Sequence, residues 1–116
     1  MAVRTALAVV PSSDLERSRA WWVALLGREP DRVPMPTDLE WSFPDGGGLQ
    51  LVDDGERAGS GGVTLGVEDV DAELAEIAGR GLEVPDAATV PSGQFRIAML
   101  QDPDGNGVVL AQDLTG

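Results

Sequence analysis

The 116-residue chain contains no histidine, cysteine, lysine or tyrosine. Each absence removes a chemistry. Without His there is no imidazole base and no Ser-His-Asp triad. Without Cys there is no thiolate nucleophile, disulfide or thiolate zinc site, and without Lys there is no Schiff base. Any catalysis would have to run on carboxylates, Arg, hydroxyls, amides or backbone groups. Long apolar runs are also missing, since nothing approaches the roughly 18 residues of a membrane span. The opening MAVRTALAVVPSSD is too short and too poorly flanked for a secretory signal, so a cytoplasmic protein is expected. Positive charge is scarce: eight Arg stand against twenty Asp plus Glu, a net charge of −12. Such a field repels phosphate backbones and anionic membrane surfaces and attracts cations, which argues against nucleic acid or membrane as a partner.

What is present is globular. Hydrophobic residues make up 42% and charged residues 24%, and the length suits one domain over residues 1–116. The apolar run Val3 to Val10 reads as a strand ending at Pro11. Ser13-Asp14-Leu15-Glu16 then has the form of a capping box, with Ser13 as cap, opening a helix to about Leu26. Leu15, Trp22, Leu25 and Leu26 share one side of that helix, and Gly27 suits the left-handed residue that ends it. Weak strands follow near Arg32 to Met35 and Leu39 to Phe43, then a turn from Pro44 to Gly48 and a strand from Leu49 to Val52. The polar, glycine-rich stretch 53–62, DDGERAGSGG, reads as a flexible linker.

The second half repeats this order. Val63 to Val67 reads as a strand, and Asp69 caps a helix whose buried side is Val70, Leu74 and Ile77, closing at Gly81. Strands around Thr89 and from Phe95 to Leu100 lead to a turn and a last strand, Val108 to Ala111. The segment PDGGGLQLVDD from Pro44 matches PDGNGVVLAQD from Pro103 at six of eleven positions. A shared Pro-Asp-Gly is cheap in turns, but the repeated order of strand, helix and turn points to a duplicated β-α-β-β-β unit.

SSDLERSRAWWVALLGREP after the first strand, VTLGVEDVDAELAEIAGRGLEV opening the second half and DPDGNGVVL near the end carry a resemblance over nearly the whole chain. They resemble the vicinal oxygen chelate superfamily of glyoxalases, extradiol dioxygenases and bleomycin-resistance proteins. The resemblance implies an α+β fold: two βαβββ modules whose strands curl into a mixed-sheet cup with helices outside and a ligand cavity inside. The modules would span about 1–54 and 63–116, joined by a linker at about 55–62. It also implies a homodimer, in which the linker would permit either a closed monomer or exchange of modules between chains.

Metal-dependent members of that family place ligands at four positions, which fall here on Leu7, Gln50, Gly62 and Val109. One amide oxygen is too few and too weak a donor to hold a divalent ion. The expectation is therefore a protein without metal or cofactor that binds a small aromatic or cationic molecule, such as an antibiotic. The rival is a lyase-, isomerase- or dioxygenase-type enzyme that has moved its chemistry to a carboxylate such as Glu40 or to a non-standard metal site. Trp41 and Phe43 share a strand face by parity and are expected to line the cup with Gln50 and Val52, through stacking and a few polar groups. The expected ligand-binding set is thus Leu7, Trp41, Phe43, Gln50, Val52, Gly62 and Val109, with no catalytic or metal residues. Trp22 belongs to the buried helix face. Asp102, Asp104, Asn106, Gly107 and Asp113 follow much of a calcium-loop spacing, but the twelfth position holds Asp and the segment after the loop is strand-like, which favours a plain hairpin turn.

Overall fold

The computed structural model describes residues 2–116, so Met1, with which the first module is taken to begin, lies outside the described residues. The first module runs β1 (Leu7–Ser12), α1 (Leu15–Leu26), β2 (Arg32–Met35), β3 (Asp38–Ser42) and β4 (Gly48–Asp53). The second runs β5 (Gly62–Gly66), α2 (Val70–Gly79), β6 (Ala88–Thr89), β7 (Phe95–Gln101) and β8 (Gly107–Asp113). Two four-stranded sheets result, ordered β1-β4-β3-β2 and β5-β8-β7-β6. In each, the first and last strands are parallel and the others antiparallel. A parallel pair needs a long crossover, which the helix and the intervening strands supply. The fold is α+β with two βαβββ modules, as expected.

The duplication extends to hydrogen bonds. Leu7 lies opposite Gly48 as Gly62 lies opposite Gly107, and Val9 opposite Gln50 as Thr64 opposite Val109. The two turns bond alike: Phe43 N–H donates to Gly47 O as Asp102 N–H donates to Asn106 O, and Gly48 N–H donates to Ala6 O as Gly107 N–H donates to Gly61 O.

Strand parity divides each sheet. Val10, Leu39, Trp41, Leu49 and Leu51 join Trp22 and Leu25 of α1 in the core, while Ala98, Leu100, Val108 and Leu110 join Val70, Leu74 and Ile77 of α2. All belong to one cluster. β1 begins at Leu7 rather than Val3 and runs through Pro11, which is tolerated because β1 is an edge strand, as is β2 with Pro34. Among the described residues, no helix is long and apolar enough to cross a membrane.

The helix caps hold one correction. Asp14, not Ser13, is the N-cap of α1, its carboxylate accepting from Arg17 N–H at 3.2 Å. Ser13 instead bonds Asp104, 91 residues away, through both its backbone N–H and its hydroxyl. Asp69 caps α2 as expected, and Gly27 ends α1 in the left-handed region at φ 77°.

That long-range bond belongs to the contact that joins the modules. Asn106, fully buried, donates from Nδ2 to Pro11 O and to Asp102 Oδ2, both at 2.8 Å. Its Oδ1 accepts from Gly59 N–H at 3.0 Å and Gly61 N–H at 2.9 Å. Asp102 accepts from the Trp22 indole N–H at 3.2 Å and from the N–H groups of Asp104 and Asn106. Asp104 accepts from Ser13, Ser18 and Arg17. The hairpin turn expected at 102–107 therefore plugs the β1–α1 corner of the other module, and its carboxylates are engaged by protein donors. The expected flexible linker is likewise tied down near its end. A Cβ on Gly61 would stand 2.9 Å from the Pro11 ring and 3.1 Å from Asn106 Oδ1, so only glycine allows this approach. Across the modules, Arg80 donates to the carbonyls of Ala24 and Leu25, the cationic partner a helix C-terminus favours.

Burial disfavours charge on Asp104, but hydrogen bonds from Ser13 and Ser18 and the charge of Arg17 together hold its carboxyl below the usual carboxylate range. A carboxyl held low in the folded state contributes stability that is complete above its unfolded value of about 4 and is lost as pH falls through its folded value. The stability gap between the native chain and Asp104→Asn, measured by urea unfolding, should therefore shrink between pH 7 and pH 3; an unchanged gap would contradict the assignment. Asn106→Ala strands several buried donors and acceptors, each worth about 1–3 kcal/mol, and should lose at least about 3 kcal/mol. The exposed counterpart turn residue Asp45 should tolerate alanine within about 0.5 kcal/mol in the same assay.

Candidate functional site

The face of each sheet turned away from its helix is the one on which the family-derived positions fall. On the first sheet, Leu7, Gln50 and Val52 lie on this face by register, beside Val9, Asp38 and Glu40. On the second, Gly62 and Val109 do so, beside Thr64 and Met99. Leu7 is 38% exposed, Val9 53% and Met99 67%, although all are apolar. Met35 and Phe95, on the same faces, are exposed as well.

The polar centre of the first face is Glu40. Its side chain is only 8% exposed, yet both oxygens have donors: Arg32 Nη2 reaches Oε1 at 2.7 Å and Gln50 Nε2 reaches Oε2 at 3.2 Å. The hydrogen bond to Glu40, followed by its charge, holds the Arg32 guanidinium more firmly protonated than usual. Gln50 is thus anchored by its amide N–H with its carbonyl oxygen left for another partner. Sequence reasoning picked Gln50 but missed Arg32. The signal was available, because Arg32 and Glu40 face each other once β2 and β3 are paired as a hairpin.

Two expected site residues lie elsewhere. Trp41 is fully buried on the opposite side of the sheet from Gln50, since it pairs with Leu49 and shares the core face with it. Its indole N–H donates to Arg28 O at 3.0 Å. Strand alternation forbids Trp41 and Gln50 from lining one surface: Trp41 lies opposite Leu49, one residue away from Gln50. Phe43 lies beyond the end of β3 and lines a different space, a cleft of about 610 Å³ between the modules that is also bounded by Leu26, Val63, Leu65 and Glu73.

The donor chemistry at Leu7, Gln50, Gly62 and Val109 does not fit a divalent metal: two aliphatic side chains and a glycine supply no donor, and Gln50 supplies one neutral oxygen. Among the described residues, no group of three or more Asp and Glu side chains is placed to hold a metal ion. With both Glu40 oxygens engaged, this face also offers no free carboxylate base at that position.

These features agree with comparisons to known proteins. The family described as a glyoxalase-like domain matches residues 7–111. A glyoxalase/bleomycin resistance protein from Catenulispora acidiphila DSM 44928 is 34% identical with a TM-score of 0.86, covering 95% of this chain and 98% of that one. TnmS3, described as an antibiotic binding protein from Streptomyces sp. CB03234, is 31% identical with a TM-score of 0.79, over 97% and 98% of the two chains. A bleomycin-binding protein complexed with bleomycin shares the fold at 17% identity, with a TM-score of 0.76 over 97% of this chain and 99% of that one. A comparison with curated proteins found no match. The duplicated βαβββ architecture, the turn motifs and these likenesses together establish that the chain belongs to the glyoxalase-like family of the vicinal oxygen chelate superfamily.

Proposed function

We propose that this protein is a metal-independent cytoplasmic binding protein. It holds a small aromatic or cationic compound, of the kind represented by antibiotics, on the helix-free faces of its sheets. The observation that carries this reading is the content of the four family positions, where Leu7, Gln50, Gly62 and Val109 present an apolar surface with a single amide. Apolar surface supplies affinity by burial, and a few polar groups fix orientation. Gln50, steadied by Glu40, supplies the orienting amide oxygen. Val52 and Val9 extend the apolar floor. Trp41, packed in the core, is left out of the site. The net charge of −12 favours encounter with cations. The 31% identity to a protein described as antibiotic binding supports the same class of ligand.

The same faces support a homodimer. Leu7, Val9, Met35, Phe95 and Met99 are exposed large apolar groups on these surfaces, and such patches mark places where another surface docks. A second copy would close each face into a cup. The enzyme alternative has no observation in its favour.

Calorimetric titration with metal-free bleomycin, as a representative aromatic and cationic antibiotic, tests the binding function. Saturable binding that survives prior treatment of the protein with EDTA is expected. Gln50→Ala should weaken it by up to about tenfold, the worth of one hydrogen bond of about 0.5–1.5 kcal/mol. Absence of binding across a panel of such antibiotics, or binding that needs a divalent ion restored to the protein, would contradict the proposal. Sedimentation should give twice the chain mass of 12.1 kDa, with Val9→Asp and Met99→Asp shifting the protein to single chains. A native protein sedimenting as one chain at high concentration would rule the dimer out.

A further inference from the structure

The two modules present equivalent corners to each other, and only one is filled. At the β1–α1 corner the plug is Asp102, Asp104 and Asn106, received by Ser18 and Trp22. In the register that pairs Leu7 with Gly48 and Gly62 with Gly107, the counterparts of the plug are Phe43, Asp45 and Gly47. Those of Ser18 and Trp22, equally far beyond the first strand, are Glu73 and Ile77. The two turns share their backbone hydrogen bonds, but Gly47 takes a left-handed φ of 73° that Asn106 does not, so they differ at this one position in backbone as well as in side chain. Gly47 contributes nothing where Asn106 fills the other corner, and Ile77 stands where the larger Trp22 stands. What remains at the β5–α2 corner is the cleft of about 610 Å³.

We infer that this cleft is a second binding site, which takes a small hydrophobic cation such as a protonated arylalkylamine. Its volume lies within the roughly 300–1,000 Å³ of ligand pockets. Its walls are apolar, including Leu26, Val63 and Leu65, and Phe43 offers an aromatic ring. The charged residues lining it are Asp45 and Glu73, with no basic residue beside them, and neither joins an ion pair among the described residues. Carboxylates beside apolar walls favour a cation with a greasy body and repel an anion of the same shape. Val63 and Leu65, which give β5's apolar wall to the cleft, alternate with Gly62 and so point away from the helix-free face, although Thr64 also borders the cleft.

The probes are 1-naphthylmethylamine, its neutral counterpart 1-naphthylmethanol and its anionic counterpart 1-naphthylacetate. Calorimetry supplies affinities, and amide NMR shifts locate each probe. The amine should bind at least tenfold more tightly than the alcohol and should shift the amides of 45–48 and 63–67, with the anion weakest. Glu73→Gln, a near-isosteric change at a half-buried position of α2, should abolish the preference for the amine over the alcohol. Gly47→Asn adds a side chain at the cleft wall, in a left-handed position that Asn tolerates, and should weaken binding of all three probes at least tenfold. Shifts confined to the helix-free faces around Gln50 and Val109, equal affinity for amine and anion, or a preference that survives Glu73→Gln would each overturn the inference.

Discussion

The structure depends on one buried amide. Asn106 is the sole asparagine in the chain, and its side chain ties together three parts of it: Pro11 of the first module, Gly59 and Gly61 of the connecting segment, and Asp102 of its own turn. An amide carries two donors and an acceptor that can take two bonds, and this corner offers two carbonyl-type oxygens and two N–H groups to match. Leaving such groups unpaired in the interior costs more than the pairing gains, so the network fixes the relative placement of the modules more than it adds to total stability. Asp102 and Asp104 extend it to Trp22, Ser13 and Ser18, tying the turn of one module to the helix of the other.

Gene duplication supplies two copies of every part, and physics then allows them to diverge one side chain at a time. The backbone hydrogen bonds of the turn are preserved in both halves, down to equivalent bonds to Ala6 and Gly61. Glycine at position 47, where the other half has the plug asparagine, leaves that corner without a lock and takes a left-handed φ of 73° while the hydrogen bonds of the turn stay the same. The same logic applies on the helix-free faces, where positions equivalent by register carry Leu7, Gln50, Gly62 and Val109 rather than a set of strong donors.

Much of the fold was legible because period and punctuation agree along this chain. Leu15, Trp22 and Leu25 at helical spacing, with Gly27 after them, define α1 without reference to anything distant, and Asp69 does the same for the start of α2. The repeated turn exposed the duplication. What stayed hidden depends on contacts across long sequence separation. Ser13 looked like a cap because the capping box is a local pattern, yet its hydroxyl is claimed by Asp104, 91 residues away. Residues 53–62 looked like a free linker because their composition is polar, while Gly59 and Gly61 donate to Asn106 from positions where a side chain would meet the Asp104 carbonyl and the Pro11 ring. Parity showed that Trp41 and Phe43 share a face within a continuous strand but not which face meets the helix, and β3 ends before Phe43. Leu7, Gln50, Gly62 and Val109 were placed by family resemblance, and the registers put them on the helix-free faces.

The central claim is that the Asn106 plug holds the modules together, and native-state hydrogen exchange reads it directly. The amides of Gly59, Gly61 and Asn106 lie in a glycine-rich segment and a turn, places where exchange is ordinarily fast. If the plug is the lock described, they exchange only through global unfolding, within about tenfold of the slowest core amides such as Leu51. Exchange of these three amides at the rate of exposed loop residues, while the strands remain protected, would contradict the account.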